Sequence, residues 1–403
     1  NLSGTKYFGV NSTVAGNLRG EGARGFESIA IGPEANTTGN HSVSLGASAK
    51  ASADNSISIG ARSNATGFDS VAIGLIANAT GKNSVAIGLS SKADSGAAIA
   101  IGSVANATGQ NTIATGNGAN AIGNWSIASG VGANTTGIKA TAIGTFANAS
   151  GISSIAFGEN ASAVGDDGIS IGRNARTFSD PSIAIGANSS ANYFSVAVGN
   201  NSHAQNHAFA GGDETNAHQY AVAVGSRASA NGSNAVAIGY DSLALTNTDI
   251  AIGSGAKTDE STPTPSGRST IAIGVNSKSR DTSIALGVDA NASGCVSMAI
   301  GRGAHTESTG SVAFGDYANA IGRSSLAFGV NSNATGFATI ATGVLSQATG
   351  ANATAIGAFS NASGISSIAF GKSASAVDLN AISIGNGSQA LAQNTISIGT
   401  GNI

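Results

Sequence analysis

One cysteine, Cys295, is all the sequence offers for disulfide chemistry, so its 403 residues cannot form an intrachain bridge. Charge is also scarce, at 10% of residues, where ordinary globular domains carry about a quarter. Aromatic residues supply only 5%. The formal net charge of −3 and a pI near 5.9 leave no basic footprint for nucleic acid. No stretch approaches the roughly 20 apolar residues that a membrane helix needs. The chain before Ser28 lacks an apolar run suited to a signal peptide, so the sequence reads as a mature segment or a fragment. Disorder is excluded from the other side. Disordered chains combine low hydrophobicity with high net charge, and 41% of this chain is hydrophobic.

What is present is glycine, with 58 residues, and a repeat. Ser28-Ile29-Ala30-Ile31-Gly32 returns as Ser42-Val43-Ser44-Leu45-Gly46, then as Ser56-Ile57-Ser58-Ile59-Gly60, each start fourteen positions after the last. The series runs on to Thr395-Ile396-Ser397-Ile398-Gly399, about 27 units in all. Between pentads lies a second motif, as in Ala77-Asn78-Ala79-Thr80-Gly81. Period-two alternation in the pentad predicts a short strand with two unlike faces. The second motif predicts another, and the pentad glycine suits a tight corner. Two strands and two corners fill one coil of a flattened solenoid, whose strands bury their apolar faces only by stacking. At about 4.8 Å per coil the array would be on the order of 130 Å long.

Face assignment follows from volume. Ile29 and Ile31 are expected to point inward, opposite Ala35 and Thr37, with Asn36 and Thr38 facing water. The middle pentad residue is then expected to face outward. It is Ala or Ser in every unit, including Ala30, Ser44, Ser58, Ala72, Ala86, Ala100, Ala128, Ala156 and Ala184. A long uncharged strip of small residues reads as an association surface, and these nine are the candidates for a trimer interface. A monomeric roll with small residues there for local steric reasons is the alternative.

Residues 1–26 read as a lead and 27–403 as one continuous roll with loop insertions near 213–220 and 256–269. The spacing slips by one position between unit starts 182, 195, 208 and 221, and Gly211 stands where an aliphatic residue is expected. Residues 139–172 resemble 352–385, which points to coil duplication within one array. Thr115, Ser129 and Thr342 replace aliphatic residues at positions expected to be interior.

Catalytic chemistry is weak throughout. His41, His203, His207, His218 and His305 show no metal-ligand spacing. The glycines precede no phosphate-binding helix, and no nucleophile-elbow motif occurs. Asp166-Asp167 reads as a solvated turn, and Asn-x-Ser/Thr at Asn36, Asn64, Asn78, Asn106, Asn134 and Asn333 as a repeated corner rather than glycan acceptors. The chain is read as no enzyme, without cofactor or metal site.

The pentad at its regular spacing, with Ala-x-Ala-x-Gly between, resembles the YadA-like head of bacterial trimeric autotransporter adhesins across roughly residues 26–399. Lys6-Tyr7-Phe8-Gly9-Val10-Asn11-Ser12 is similar to the opening of such heads. The resemblance implies an all-β fold: a left-handed parallel β-roll (solenoid) of fourteen-residue coils, homotrimeric, on the cell surface of a Gram-negative outer membrane. Implied partners are self, host surface or matrix proteins, and other bacterial cells, with no nucleic acid. Membrane attachment is implied only through a C-terminal anchor that this sequence lacks, as it lacks the stalk. Two rival functions are a structural spacer of a surface fibre and an ice-binding β-solenoid. The latter needs a regular Thr ladder. Thr38, Thr66, Thr80 and Thr108 share a column, but Ser52, Asp94, Ile122, Ser150 and Val164 break it.

Overall fold

The computed structural model describes residues 22–258 and 269–401. The bulk of the expected lead and residues 259–268 of the second expected insertion therefore lie outside the described residues. Two compact units divide the chain, Asn1–Asn201 and Ser202–Ile403. Each is a parallel β-solenoid, and no helix occurs among the described residues.

One coil shows how the sequence builds it. Val71–Ile73 forms a three-residue strand and Asn78–Ala79 a two-residue strand. Each pairs in parallel with its counterpart one coil on, Val71 with Val85 and Asn78 with Lys92. The Val71 amide donates to Ser84 O at 2.9 Å, and the Gly74 amide reaches back to Ile59 O at 2.7 Å. The backbone of the coil is therefore satisfied along the stack, by the coils on either side.

The corners carry strain. Pentad glycines hold φ between +122° and +140°, a region essentially closed to side chains. A Cβ on Gly158 would also lie 2.5 Å from the carbonyl oxygen of Gly172 in the next coil. Two further positions in most coils are left-handed. One lies two places beyond the pentad glycine, such as Ile76 at φ 59°, and one two places before the next strand, such as Asn83 at φ 59°. For β-branched Ile76 this conformation is unfavourable. Its amide is held by Ala61 O at 3.0 Å.

The alternation is as expected, but its sign is reversed. Ala72, Ala86, Ala100, Ala128, Ala156, Ala184, Ser44 and Ser58 are all fully buried inside their coils, and Ala30 in the first described coil is half-buried. Ile29, Leu45, Ile101, Ile171 and Ile185 are instead 37–50% exposed. The reason is space. The second strand also points its small residue inward, as Thr37, Ala51, Ala65 and Ala79 do. Two such sheets approach so closely that every fully buried hydrophobic residue among those described is Ala. Branched side chains do not fit between them, and a one-residue change of face moves a whole strand. All nine small residues therefore point into the roll, and the eight that are fully buried cannot touch a partner.

The breaks also differ from expectation. Residues 213–220 hold no insertion: Asn216–Ala217 is an ordinary short strand between His203–Ala204 and Ser229–Ala230. The missing residue comes from the following turn, which is one position shorter than its neighbours. A further shortened coil, unrecognised in the sequence, pairs Ile271–Ile273 with Ile284–Leu286. Of the stretch 256–269, Lys257–Thr258 is a strand that pairs with Lys278–Ser279 on the far side of the extra residues. The detour thus leaves the ladder in register.

Candidate association and binding surfaces

The outward pentad face is the largest apolar feature of each unit. In the first, Leu45, Ile101, Ile171, Ile185 and Val198 stand in one column, flanked by a second of Val43, Val71, Ile99 and their equivalents. In the second, Ile238, Leu286, Phe314, Phe328, Phe370 and Ile384 continue the pattern, and the Phe314 and Phe328 rings stack at 4.8 Å and 7°. Monomeric proteins rarely expose contiguous apolar patches beyond a few hundred Å². Thr115, Ser129 and Thr342, expected inside, stand half-buried on this outer face. The Thr115 hydroxyl donates to Ser129 Oγ at 3.0 Å.

The short-strand face is polar. Asn64 Nδ2 donates to Asn78 Oδ1 at 2.8 Å, and Asn106, Asn120, Asn134 and Asn148 form a continuous ladder at 2.8–2.9 Å. Such ladders bind coil to coil. They also occupy amide nitrogens that a glycan would need. Where Lys50, Lys92 or His305 interrupts the column, the next Asn (Asn64, Asn106, Asn319) has an unpartnered Oδ1. In the neighbouring Thr column, Thr38 and Thr80 bond onward to Ser52 O and Asp94 Oδ1 at 3.3 and 3.2 Å.

Charged side chains line a groove in the second unit. A groove of about 620 Å³ is lined by Asp241, Gly255, Lys257, Asn276, Lys278, Asp289 and Asn291. Arg227 donates to Asp241 at 2.8 Å and lies over the Tyr240 ring at 5.1 Å. That hydrogen bond holds the Asp241 carboxyl below the usual carboxylate range and raises the guanidinium above its own. Lys257 approaches Asp241 at 3.9 Å. Acid and base are interleaved, so the groove concentrates neither sign.

Beside it lies Asp249, a fully buried carboxylate where other coils place Ser, Thr, Ala or Gly. It accepts from Thr246 N at 2.9 Å, Thr246 Oγ1 at 2.8 Å, Thr258 Oγ1 at 2.7 Å and Thr270 N at 2.9 Å. Thr258 and Thr270 flank the extra residues, so one side chain ties both ends of that detour. Asp249 escaped the sequence reading. Its signal was an acidic residue in a column of otherwise small residues, directly before an irregular spacing.

Other sequence candidates resolve into turns. Asp166 accepts from Ile152 N at 2.7 Å, and Asp167 occupies a left-handed corner at φ 54°. His41 faces Glu27 at 3.5 Å, His305 faces Glu307 at 2.9 Å, and His207 stacks on Tyr220 at 4.9 Å. Among the described residues no group of three or more His, Cys, Asp or Glu could hold a metal ion.

The described residues thus form a parallel solenoid with an Ala/Ser interior and an aliphatic outer ladder. The YadA head domain repeat model matches residues 23–63, 65–91, 93–119, 121–147, 149–175, 219–256, 281–294, 297–318 and 320–402. The chain belongs to the YadA head family, whose members are surface-exposed bacterial adhesin modules without enzymatic activity. Two longer unmatched stretches, 176–218 and 257–280, coincide with shortened coils and with the extra residues. Among solved structures, the collagen-binding domain of the Yersinia adhesin YadA is 29% identical, over 47% of this chain and 81% of that one, with a TM-score of 0.24. No curated protein matches the chain.

Proposed function

We propose that the chain is the head of a trimeric autotransporter adhesin that attaches bacteria to host cells, matrix proteins or other bacteria. The observation that carries this reading is the outer ladder. Leu45, Ile101, Ile171, Ile185 and Val198 are each more than a third exposed, though a lone chain gains nothing from showing them to water. Three copies packing these faces about a common axis would finish their burial. The interface residues are then the aliphatic neighbours of the small residues first singled out.

Trimerisation would leave the short-strand face and the turns outward. The turns carry Trp125, Phe146, Tyr240, Tyr317 and Phe359, each more than half exposed. Large rings of this kind dominate binding energies at interfaces. Shallow contacts repeated over many coils and three chains would act together, raising avidity well beyond any single contact. The test is binding of the purified chain to immobilised matrix proteins, epithelial cells and partner bacteria. Saturable binding to at least one, lost when the trimer is dispersed, is the expected result. No saturable binding to any of them would favour a spacer.

A further inference from the structure

The outer ladder of the first unit repeats so evenly that it says little about level. Thirteen three-residue strands of the first unit, Ile29–Ile31 through Val196–Val198, each present two outward residues. Chains shifted by one coil would still set Ile against Val. Four outward residues break the pattern: Thr115, Ser129, Thr141 and Phe157. All lie in four successive strands of this kind between Ile113 and Phe157. Thr115 donates to Ser129 at 3.0 Å, and neither the Ser129 proton nor the Thr141 hydroxyl has an acceptor among the described residues. The second unit repeats the device with Thr342 and Thr354 in adjacent strands, followed by Phe370.

We propose that these hydroxyls are matching layers, which in the trimer meet their own copies at the same level and so fix the axial register of identical chains. The proposal rests on the trimer argued above. A hydroxyl pressed against aliphatic side chains with no water loses its partners. Facing its own copies, or a water shared with them, it keeps them. A polar residue at one core position of a coiled coil sets register in the same way, at some cost in stability. Here the need is greater, because aliphatic levels alone distinguish a shifted alignment only at the ends of the array. Phe157 and Phe370 add a step in volume beside each layer.

Two full-length chains carrying different tags are co-expressed, and the intact assemblies are weighed by native mass spectrometry. One is the natural chain. The other carries Thr115→Ile, Ser129→Ile, Thr141→Val, Thr342→Ile and Thr354→Val, which extend the aliphatic pattern of neighbouring coils. Mixed trimers are expected about tenfold below their random share, while both pure trimers form. A conservative chain with Thr115→Ser, Ser129→Thr and Thr141→Ser keeps every hydroxyl of the first layer and is expected to mix at random. Random mixing of the aliphatic variant would overturn the matching layers and leave the trimer standing. If the natural chain alone forms no trimer, both readings fall.

Discussion

Ala100 and Ile101 are neighbours in one strand, and opposite outcomes are expected when each is changed. Ile101 is 41% exposed in the single chain. Full burial of such a side chain contributes about 1.5–3 kcal/mol, so completing it yields roughly 0.6–1.2 kcal/mol per copy. Ile101→Lys removes that gain and places three ammonium groups at one level of the proposed trimer interface. Each buried, unpaired charge costs several kcal/mol, so the assembly is destabilised by more than about 5 kcal/mol. The coil itself loses little, because a Lys stem lies along the same half-wet surface. Ala100 is fully buried. Ala100→Leu forces bulk between two sheets of Ala, an overpacking cost of about 1–3 kcal/mol or more. Sedimentation velocity reads the assembly and thermal melting by circular dichroism reads the coil. Ile101→Lys should make the chains separate at lower urea than the natural assembly does, with the strand signal intact, and Ala100→Leu should lower the melting temperature. An Ile101→Lys assembly that separates at the same urea concentration as the natural one, or an Ala100→Leu chain that disperses with an unchanged melt, would refute the face assignment.

Three further outcomes follow from local geometry. Gly158→Ala, at φ +135° with its Cβ 2.5 Å from Gly172 O, is expected to cost about 2–4 kcal/mol, whereas Gly118→Ala, at φ +66° in open space, should cost about 1 kcal/mol; equal thermal shifts would contradict the close-approach argument. Asp249→Ala leaves the Thr246 and Thr270 amides without their acceptor and should destabilise the fold by about 3 kcal/mol, with faster hydrogen exchange at Thr270 as the local readout and unchanged exchange as the contrary result. Arg227 depresses the folded-state pKa of Asp241, so their pairing supports the fold above the unfolded carboxylate pKa and is lost as pH falls through the lower folded value. Arg227→Ala should return the Asp241 titration, followed by NMR, upward toward the ordinary carboxylate range, and an unmoved titration would count against the pair.

Much of this was legible in the sequence because the repeat leaves few alternatives. The period, the strand pair, the glycine corner and the inward Ala35–Thr37 side all follow from Ser28 to Thr38 and its recurrence. The inversion of the pentad faces shows where pattern reasoning stops. Alternation says that Ala30 and Ile31 lie on opposite sides, but not which side is inside. That choice depends on the gap between two sheets, which only stacking sets. Asp249 illustrates a second limit. A single acidic residue has no periodic signature, and its role rests on Thr258 and Thr270 meeting it from opposite ends of the detour. The hydroxyl layers fall between these cases. Thr115 and Ser129 stood out in sequence, but with the wrong face assigned they read as hydroxyls inside the roll.

Sedimentation equilibrium of the purified chain tests the central claim most directly. The proposed trimer covers the outward aliphatic ladder with two further copies of the chain, so the expected mass is three times that of the 38.7 kDa chain. A stable species of 38.7 kDa across micromolar concentrations would contradict it.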